Sequence, residues 1–383
     1  MIQRPEPSTV NAVPRHGGLR GLFVALLVIG ASRAYAFDDY TGPLGGTTSF
    51  YGQLSPSVIS VDDGTTSKTA VVDNSHSNSR IGFFLTRPAS GREFRFRFET
   101  SLGFRQSDAV SQTSTGQPID WEPSDIRYVD FSWKFENLGR LSIGHGSMAT
   151  NSAASADLSG TGLVTGVSVP DMAGGFEFRT ATGALSGITV NSAYKTFEGI
   201  RRARLRYDTR DLRGLTFSVA AGAEVLEENN SEENYDMALI YQGERGEFST
   251  QGSFGGSINK KDAEPTQQEI VGSFSVLHKP TGLNFTVSGG HRDPGGRGVY
   301  TKLGYIADWI QIGRTALSMD YLYSKDVFAP DTVSHAWGIG IVQNISAAQM
   351  DLYLGYRNYS VSDASAISYE NLQAIQFGTR WRF

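Results

Sequence analysis

Residues 94–104 read Phe94-Arg95-Phe96-Arg97-Phe98-Glu99-Thr100-Ser101-Leu102-Gly103-Phe104. Phe94, Phe96, Phe98, Leu102 and Phe104 fall on one parity, and Arg95, Arg97, Glu99, Ser101 and Gly103 on the other. Successive side chains of a β-strand point to opposite faces, so this stretch offers one face to an apolar medium and the other to water. The contrast recurs at the C-terminus, where Ile375, Phe377, Thr379, Trp381 and Phe383 alternate with Gln376, Gly378, Arg380 and Arg382. It recurs again in Leu215/Phe217/Val219 against Thr216/Ser218, in Leu283/Phe285/Val287 against Asn284/Thr286/Ser288, and in Met350/Leu352/Leu354/Tyr356 against Asp351/Tyr353/Gly355/Arg357. A soluble β-sandwich alternates too. It would need large inner sheets and frequent inter-sheet crossings, however, and this undivided chain shows neither. At membrane depth every backbone group must be paired, and a sheet closed on itself does this without edges.

The expected fold is therefore all-β, a closed antiparallel transmembrane β-barrel. Strand-like runs lie near 47–61, 79–87, 92–105, 125–135, 139–146, 200–209, 214–224, 234–242, 246–256, 269–278, 283–292, 298–308, 314–324, 335–344, 349–359 and 371–383, which makes sixteen. Short turn-forming segments such as 88–91, 136–139, 210–214, 243–246 and 279–282 separate some of them. Longer polar stretches at 62–78, 106–124, 147–199, 225–234, 257–268, 325–334 and 360–370 separate the others, the asymmetry expected of a bacterial barrel. Within 147–199, Phe176-Glu177-Phe178-Arg179 and Ile188-Thr189-Val190-Asn191 could add a hairpin and raise the count to eighteen. Sixteen is the better reading, because that region has no lipid-facing run of full membrane length.

Residues 1–36 read as an export signal, with Arg4, Arg15 and Arg20 before the apolar run Leu22 to Ile29 and the small residues Ala34 and Ala36 at the cleavage site. Removing 36 of 383 residues leaves 347, with no linker that would divide them into domains. The signal's Arg4, Arg15, Arg20 and Arg33 against Glu6 carry +3, so a chain of net charge −5 becomes about −8 once processed. That balance argues against nucleic acid as a partner. Cysteine is absent, which excludes disulfides and thiolate metal sites. His76, His278, His291 and His335 are scattered without metal-ligand spacing, and nothing points to a cofactor.

Phe50-Tyr51-Gly52-Gln53-Leu54 with Asn78-Ser79-Arg80-Ile81-Gly82-Phe83, Leu138-Gly139-Arg140-Leu141-Ser142-Ile143-Gly144, and Arg204-Leu205-Arg206-Tyr207-Asp208 followed by Gly214-Leu215-Thr216-Phe217 occur in an order that resembles the Gram-negative general porins. So does the ending Trp381-Arg382-Phe383. The resemblance spans essentially the whole processed chain, 37–383. It implies a water-filled outer-membrane channel for ions and small hydrophilic solutes, sixteen strands, and a homotrimer in contact with outer-membrane lipid and lipopolysaccharide. It also implies that 147–199 is a third loop folded into the lumen as a constriction, and that Phe383 is the signal read by the barrel-insertion machinery.

The same resemblance places basic side chains on the wall opposite loop carboxylates. Strand parity turns Arg80, Arg95, Arg97, Arg202, Arg204 and Arg206 inward, and Asp157, Asp171, Glu177 and Glu198 are the loop acids available to oppose them. A pore selects by width and by the charge at its narrowest section. The acidic overall balance favours cations and the arginine wall favours anions, so the sequence leaves the sign open. Two other readings compete. An eighteen-stranded sugar channel would use Tyr300, Trp337 and Tyr353 as an aromatic slide. A lipid hydrolase would pair His145 with Ser147, two apart on a face continuing Leu141 and Ile143 toward lipid, as outer-membrane phospholipases do.

Overall fold

The computed structural model describes residues 39–42 and 45–383, so the expected export signal lies outside the described residues. Early in the chain come β1 (Tyr40–Thr41), β2 (Thr47–Leu54), β3 (Pro56–Asp62), β4 (Ser67–Asp73), β5 (Arg80–Ala89), β6 (Arg92–Ser101), β7 (Ile126–Phe135) and β8 (Gly139–Ser147). A long infolded loop carries β9 (Glu177–Arg179), β10 (Leu185–Thr189) and the single-turn helix α1 (Val190–Ala193). There follow β11 (Arg201–Asp208), β12 (Leu215–Ala223), β13 (Glu233–Arg245), β14 (Phe248–Lys260), β15 (Gln267–His278) and β16 (Leu283–Asp293). The chain ends with β17 (Gly296–Ile310), β18 (Gly313–Lys325), β19 (Val333–Ile345), β20 (Met350–Ser362) and β21 (Leu372–Arg382). No described helix is long and apolar enough to cross a membrane.

Consecutive strands pair antiparallel around a closed ring of sixteen crossings. The first crossing is β2 and β3 together, broken at Ser55, and the second is β4 and β5 together. Pro56 pairs with Asp73 on one side of the break and Gln53 with Arg80 on the other, so residues 74–79 are an insertion into the second crossing. The ring closes where β21 pairs with β3 and β2, at Gln373 with Asp62 and Gln53 with Arg382. Phe383 completes the seam. Its amide donates to Gly52 O at 3.1 Å, the Gly52 amide donates to Phe383 O at 2.9 Å, and the ring lies where a Cβ on Gly52 would sit, only 2.6 Å away.

The expected sixteen strands are thus the observed sixteen crossings, with boundaries corrected: the run 92–105 ends as strand at Ser101, before Gly103 turns at φ +65°, so Leu102 and Phe104 do not continue its lipid face. The stretch 62–78 is not all loop, because 67–73 is strand. Its pattern hid this: Val71 faces out, while Ala70 and Val72 face in and are buried, so polarity does not alternate. The inner faces of neighbouring strands carry apolar residues for the same reason. Ile59, Val61, Leu322, Ala336, Val342, Tyr359 and Ala374 pack against Val164, Val169, Met172, Phe176, Phe178, Val190 and Phe197 of the infolded loop. Each such burial contributes roughly 1.5–3 kcal/mol, so the loop is held to one wall as firmly as a domain core. Phe176, Phe178, Ile188 and Val190 serve that core, which is why β9 and β10 form a short hairpin inside the mouth and the eighteen-strand count is not realised.

Candidate constriction site

The loop docks against the wall that carries Ile59, Leu322, Val342 and Tyr359, and two cavities beside it are lined in large part by residues of β5 to β8 and β11. Two local departures from regular pairing shape them. The 74–79 insertion makes a short 3₁₀ turn that brings His76 Nδ1 within 3.2 Å of Asp171 on the loop, while the Asn74 side chain donates to Leu163 O at 2.8 Å. Between β6 and β7, Glu99 pairs with Tyr128 and Thr100 with Ile126, so Arg127 is the extra residue of a bulge. Arg127 therefore reaches the lumen together with Tyr128.

Glu99, with its side chain 3% exposed, is the hub of the wall. It accepts from Tyr51 at 2.7 Å, Arg97 at 2.6 Å and Arg127 at 2.5 Å, with Arg80 Nε at 3.9 Å. Arg97 also stacks on Tyr128, its guanidinium carbon 3.5 Å from the ring centroid. Arg201 approaches the same ring at 5.6 Å, and its buried Nε has no hydrogen-bond partner. One carboxylate thus serves three guanidiniums beside an unpaired fourth, and the wall is strongly positive.

Across from it lies a cavity of 470 Å³ lined by Arg80, Arg127 and Arg201 on the wall and by Asp157, Asp171 and Glu198 on the loop, with Lys302. Asp157 is bound to Lys302 at 2.7 Å, and Lys302 also donates to Ser159 and to Thr165 O. A second cavity of 340 Å³ shares Asn151 and Ser152 with the first and is lined by Arg95, Arg97, Arg140, Arg204 and Arg206 against Asp130 and Asp208. Among loop groups, burial and then the nearby Asp171 carboxylate push Asp108 up to about 6. Glu198 is raised by the same two causes. Burial and then the Arg292 charge bring Lys195 down to about 8.

Of the residues the sequence put forward, Arg80, Asp157, Asp171 and Glu198 meet in the first cavity, and Arg95, Arg97, Arg204 and Arg206 in the second. Arg204 is paired with Asp130 at 2.7 Å and Arg206 with Asp208 at 2.7 Å. Arg202 lines neither cavity and bridges Glu224 and Glu232 at 2.8 and 2.9 Å. Glu177 sits on β9 and accepts from the Gly187 amide, apart from both cavities. Parity missed Arg127, because a bulge leaves no sign in the alternation, and Arg201, which turns inward at a strand end. It also passed over Glu99 and Lys302, whose inward positions were legible but whose importance lies in partners far along the chain.

The rival constellations are not assembled. Ser147 does not continue the lipid face. Its hydroxyl meets the Tyr128 hydroxyl at 2.5 Å and lines the second cavity, and the buried His145 Nδ1 has no partner. Tyr300 and Tyr353 point inward but are 2% exposed beneath the loop, and Trp337 faces lipid, so they form no slide along open lumen. Among the described residues no group of three or more His, Asp or Glu side chains could hold a metal ion.

The family model for Gram-negative porins matches residues 24–364. No curated protein matches the sequence. Solved structures similar in fold include an anion-selective porin from Comamonas acidovorans, at 15% identity and TM-score 0.58, covering 88% of this chain and all of that one. The outer-membrane channel DcaP of Acinetobacter baumannii is 12% identical with TM-score 0.57, over 90% of this chain and 99% of its own. OmpF of Salmonella typhi, solved with daunomycin, is 12% identical with TM-score 0.54, over 90% of this chain and all of its own.

Proposed function

The chain belongs to the Gram-negative porin family, and from that premise we propose that this multi-pass outer-membrane channel for passive diffusion favours small anions, selected between the arginine wall and the Asp171–Glu198 side of the loop. The observation that supports this sign is the lining itself. Nine basic side chains but only five carboxylates face the two cavities, although the whole chain is acidic. Charge acts over about a Debye length, ~8–10 Å at physiological salt, so the wall outweighs acidic loops at the mouth such as 224–233. Opposed charges across the passage orient water, and an apolar solute has to break that ordered water to pass.

The processed chain acts as a homotrimer once residues 1–36 have been removed on export. The outward aromatic cluster of Phe83, Phe94, Phe96 and Phe131, with ring centroids 4.8–5.9 Å apart along contacting pairs, supports the β5–β7 wall as the intersubunit face. Phe383, already at the seam that closes the ring, is the residue the insertion machinery reads. The rest of the outer band meets lipid and lipopolysaccharide. Reconstitution in a planar bilayer tests the central reading: ion conductance with a reversal potential on the anion side of a salt gradient is expected. A purified, folded barrel that passes no current would sink it, and a cation-side potential would overturn the sign.

A further inference from the structure

For a channel that passes small anions, and resting on that reading, we propose that the Tyr128 ring is the size gate, standing against Asn151 and Ser152 of the infolded loop where one cavity gives way to the other. On the wall the boundary falls between consecutive residues of β7, because Arg127 lines the first cavity and Tyr128 the second. On the loop side Asn151 and Ser152 line both, so the two cavities meet between this pair and the wall. Val129 faces out, 37% exposed, and Tyr128 therefore faces the lumen by alternation. Arg127 joins it there only through the bulge.

A gate has to keep its place while a solute presses past, and three contacts hold this ring. Its face lies 3.5 Å from Cζ of Arg97, a close cation–π contact. That guanidinium is itself fixed by Glu99 at 2.6 Å and by the Tyr51 hydroxyl at 3.0 Å. One edge of the ring lies over Gly146, where a Cβ would sit 2.9 Å from Tyr128 Cδ1. The Tyr128 hydroxyl meets the Ser147 hydroxyl at 2.5 Å, which ties the tip to β8. An aromatic side chain turns about only two bonds, so one clamped at face, edge and tip keeps its width where a long arginine would bend aside.

The same ring links the cations of the two cavities. Arg201, 5.6 Å from the ring centroid, lines the first cavity, and Arg97 lines the second. An anion moving between these guanidiniums crosses one aromatic ring, and the crossing requires that it fit the gap. Facing that gap, Ser152 is small and exposed and takes up little of it. Width at this point and charge on either side of it are therefore set by different residues.

The test uses the full barrel in a planar bilayer, with neutral poly(ethylene glycol) of graded mass as the probe. Polymers small enough to enter the gap lower the single-channel conductance, and excluded ones do not. Tyr128→Ala is expected to raise the mass cut-off about twofold, since removing a lining ring widens a pore. Tyr128→Phe, which keeps the ring, should hold the native cut-off. An unchanged cut-off in Tyr128→Ala would overturn the gate, and so would an equal rise in Tyr128→Phe. The facing side gives a second measurement with Tyr128 in place. The chain has no cysteine, so Ser152→Cys carries its only thiol. A bulky neutral thiosulfonate reagent attached there should cut the current about tenfold, and far less in Ser152→Cys/Tyr128→Ala. A labelled Ser152→Cys barrel with native current would also overturn the gate. Polymer partitioning is blind to charge, so a failure of the anion reading shows in the native reversal potential and a failure of the gate in the cut-off.

Discussion

Replacing Arg80 and Arg201 together by glutamine removes the least compensated cations of the first cavity while keeping polar side chains in place. Arg80 reaches its nearest carboxylate, Glu99, only at 3.9 Å, and Arg201 has a buried Nε without a partner. A monovalent anion about 6 Å from a guanidinium gains about 0.7 kcal/mol at the dielectric of water. About half of that survives screening at a Debye length of ~8 Å. Removing one cation costs an anion that amount and relieves a cation of an equal repulsion, so each substitution shifts the balance by about 0.7 kcal/mol, or about threefold. The double variant should lower the anion-to-cation permeability ratio about tenfold. The assay is the zero-current potential across a planar bilayer under a salt gradient, with Arg202→Gln as control. Arg202 is neighbour to Arg201 in sequence, yet Glu224 and Glu232 already neutralise it outside both cavities. A double variant with an unchanged ratio, or a control that shifts it equally, would refute the assignment of selectivity to this wall.

Acidification should strengthen the anion preference. Asp108, with its pKa near 6, and Glu198, also raised, are charged above their pKa values and neutral below them, so lowering the pH from 7.5 to about 5 strips negative charge from the loop side. The zero-current potential followed across that range should move toward the anion limit, and movement the other way would contradict it. Lys302→Met should loosen the infolded loop by about 3 kcal/mol, because it leaves Asp157 without its partner. The expected record is larger and noisier single-channel current, partly restored in Lys302→Met/Asp157→Asn. Gly355→Val should also disturb the loop, since a Cβ there would sit 2.7 Å from the Val164 Cβ. Overpacking of this kind costs about 1–3 kcal/mol, and limited proteolysis within 148–199 should rise while the barrel strands stay uncut.

Period-two alternation determined the architecture by itself. A strand between lipid and water must alternate, as Phe94 to Ser101 does, and the number of such runs in one undivided chain made sixteen crossings and their short turns legible before any coordinates. The inward parity of Arg80, Arg97, Arg204 and Arg206 followed from the same rule. What the rule could not reach depends on contacts between residues distant in sequence. Where the loop docks, both faces of a strand become apolar, and β4 therefore passed for loop. The bulge that delivers Arg127 is one extra residue with no compositional mark. Whether a charge counts toward selectivity depends on its partner: Glu99 stands two residues from Arg97 on β6, but Glu99 meets Arg127, and Asp130 meets Arg204, only through the pairing of neighbouring strands, and Asp157 meets Lys302 only through the infolding of residues 148–199. Side-chain direction is a local property of the backbone and can be read from sequence. Electrostatic compensation is a property of the folded neighbourhood, so the tertiary structure alone decided which arginines have a close carboxylate and which do not.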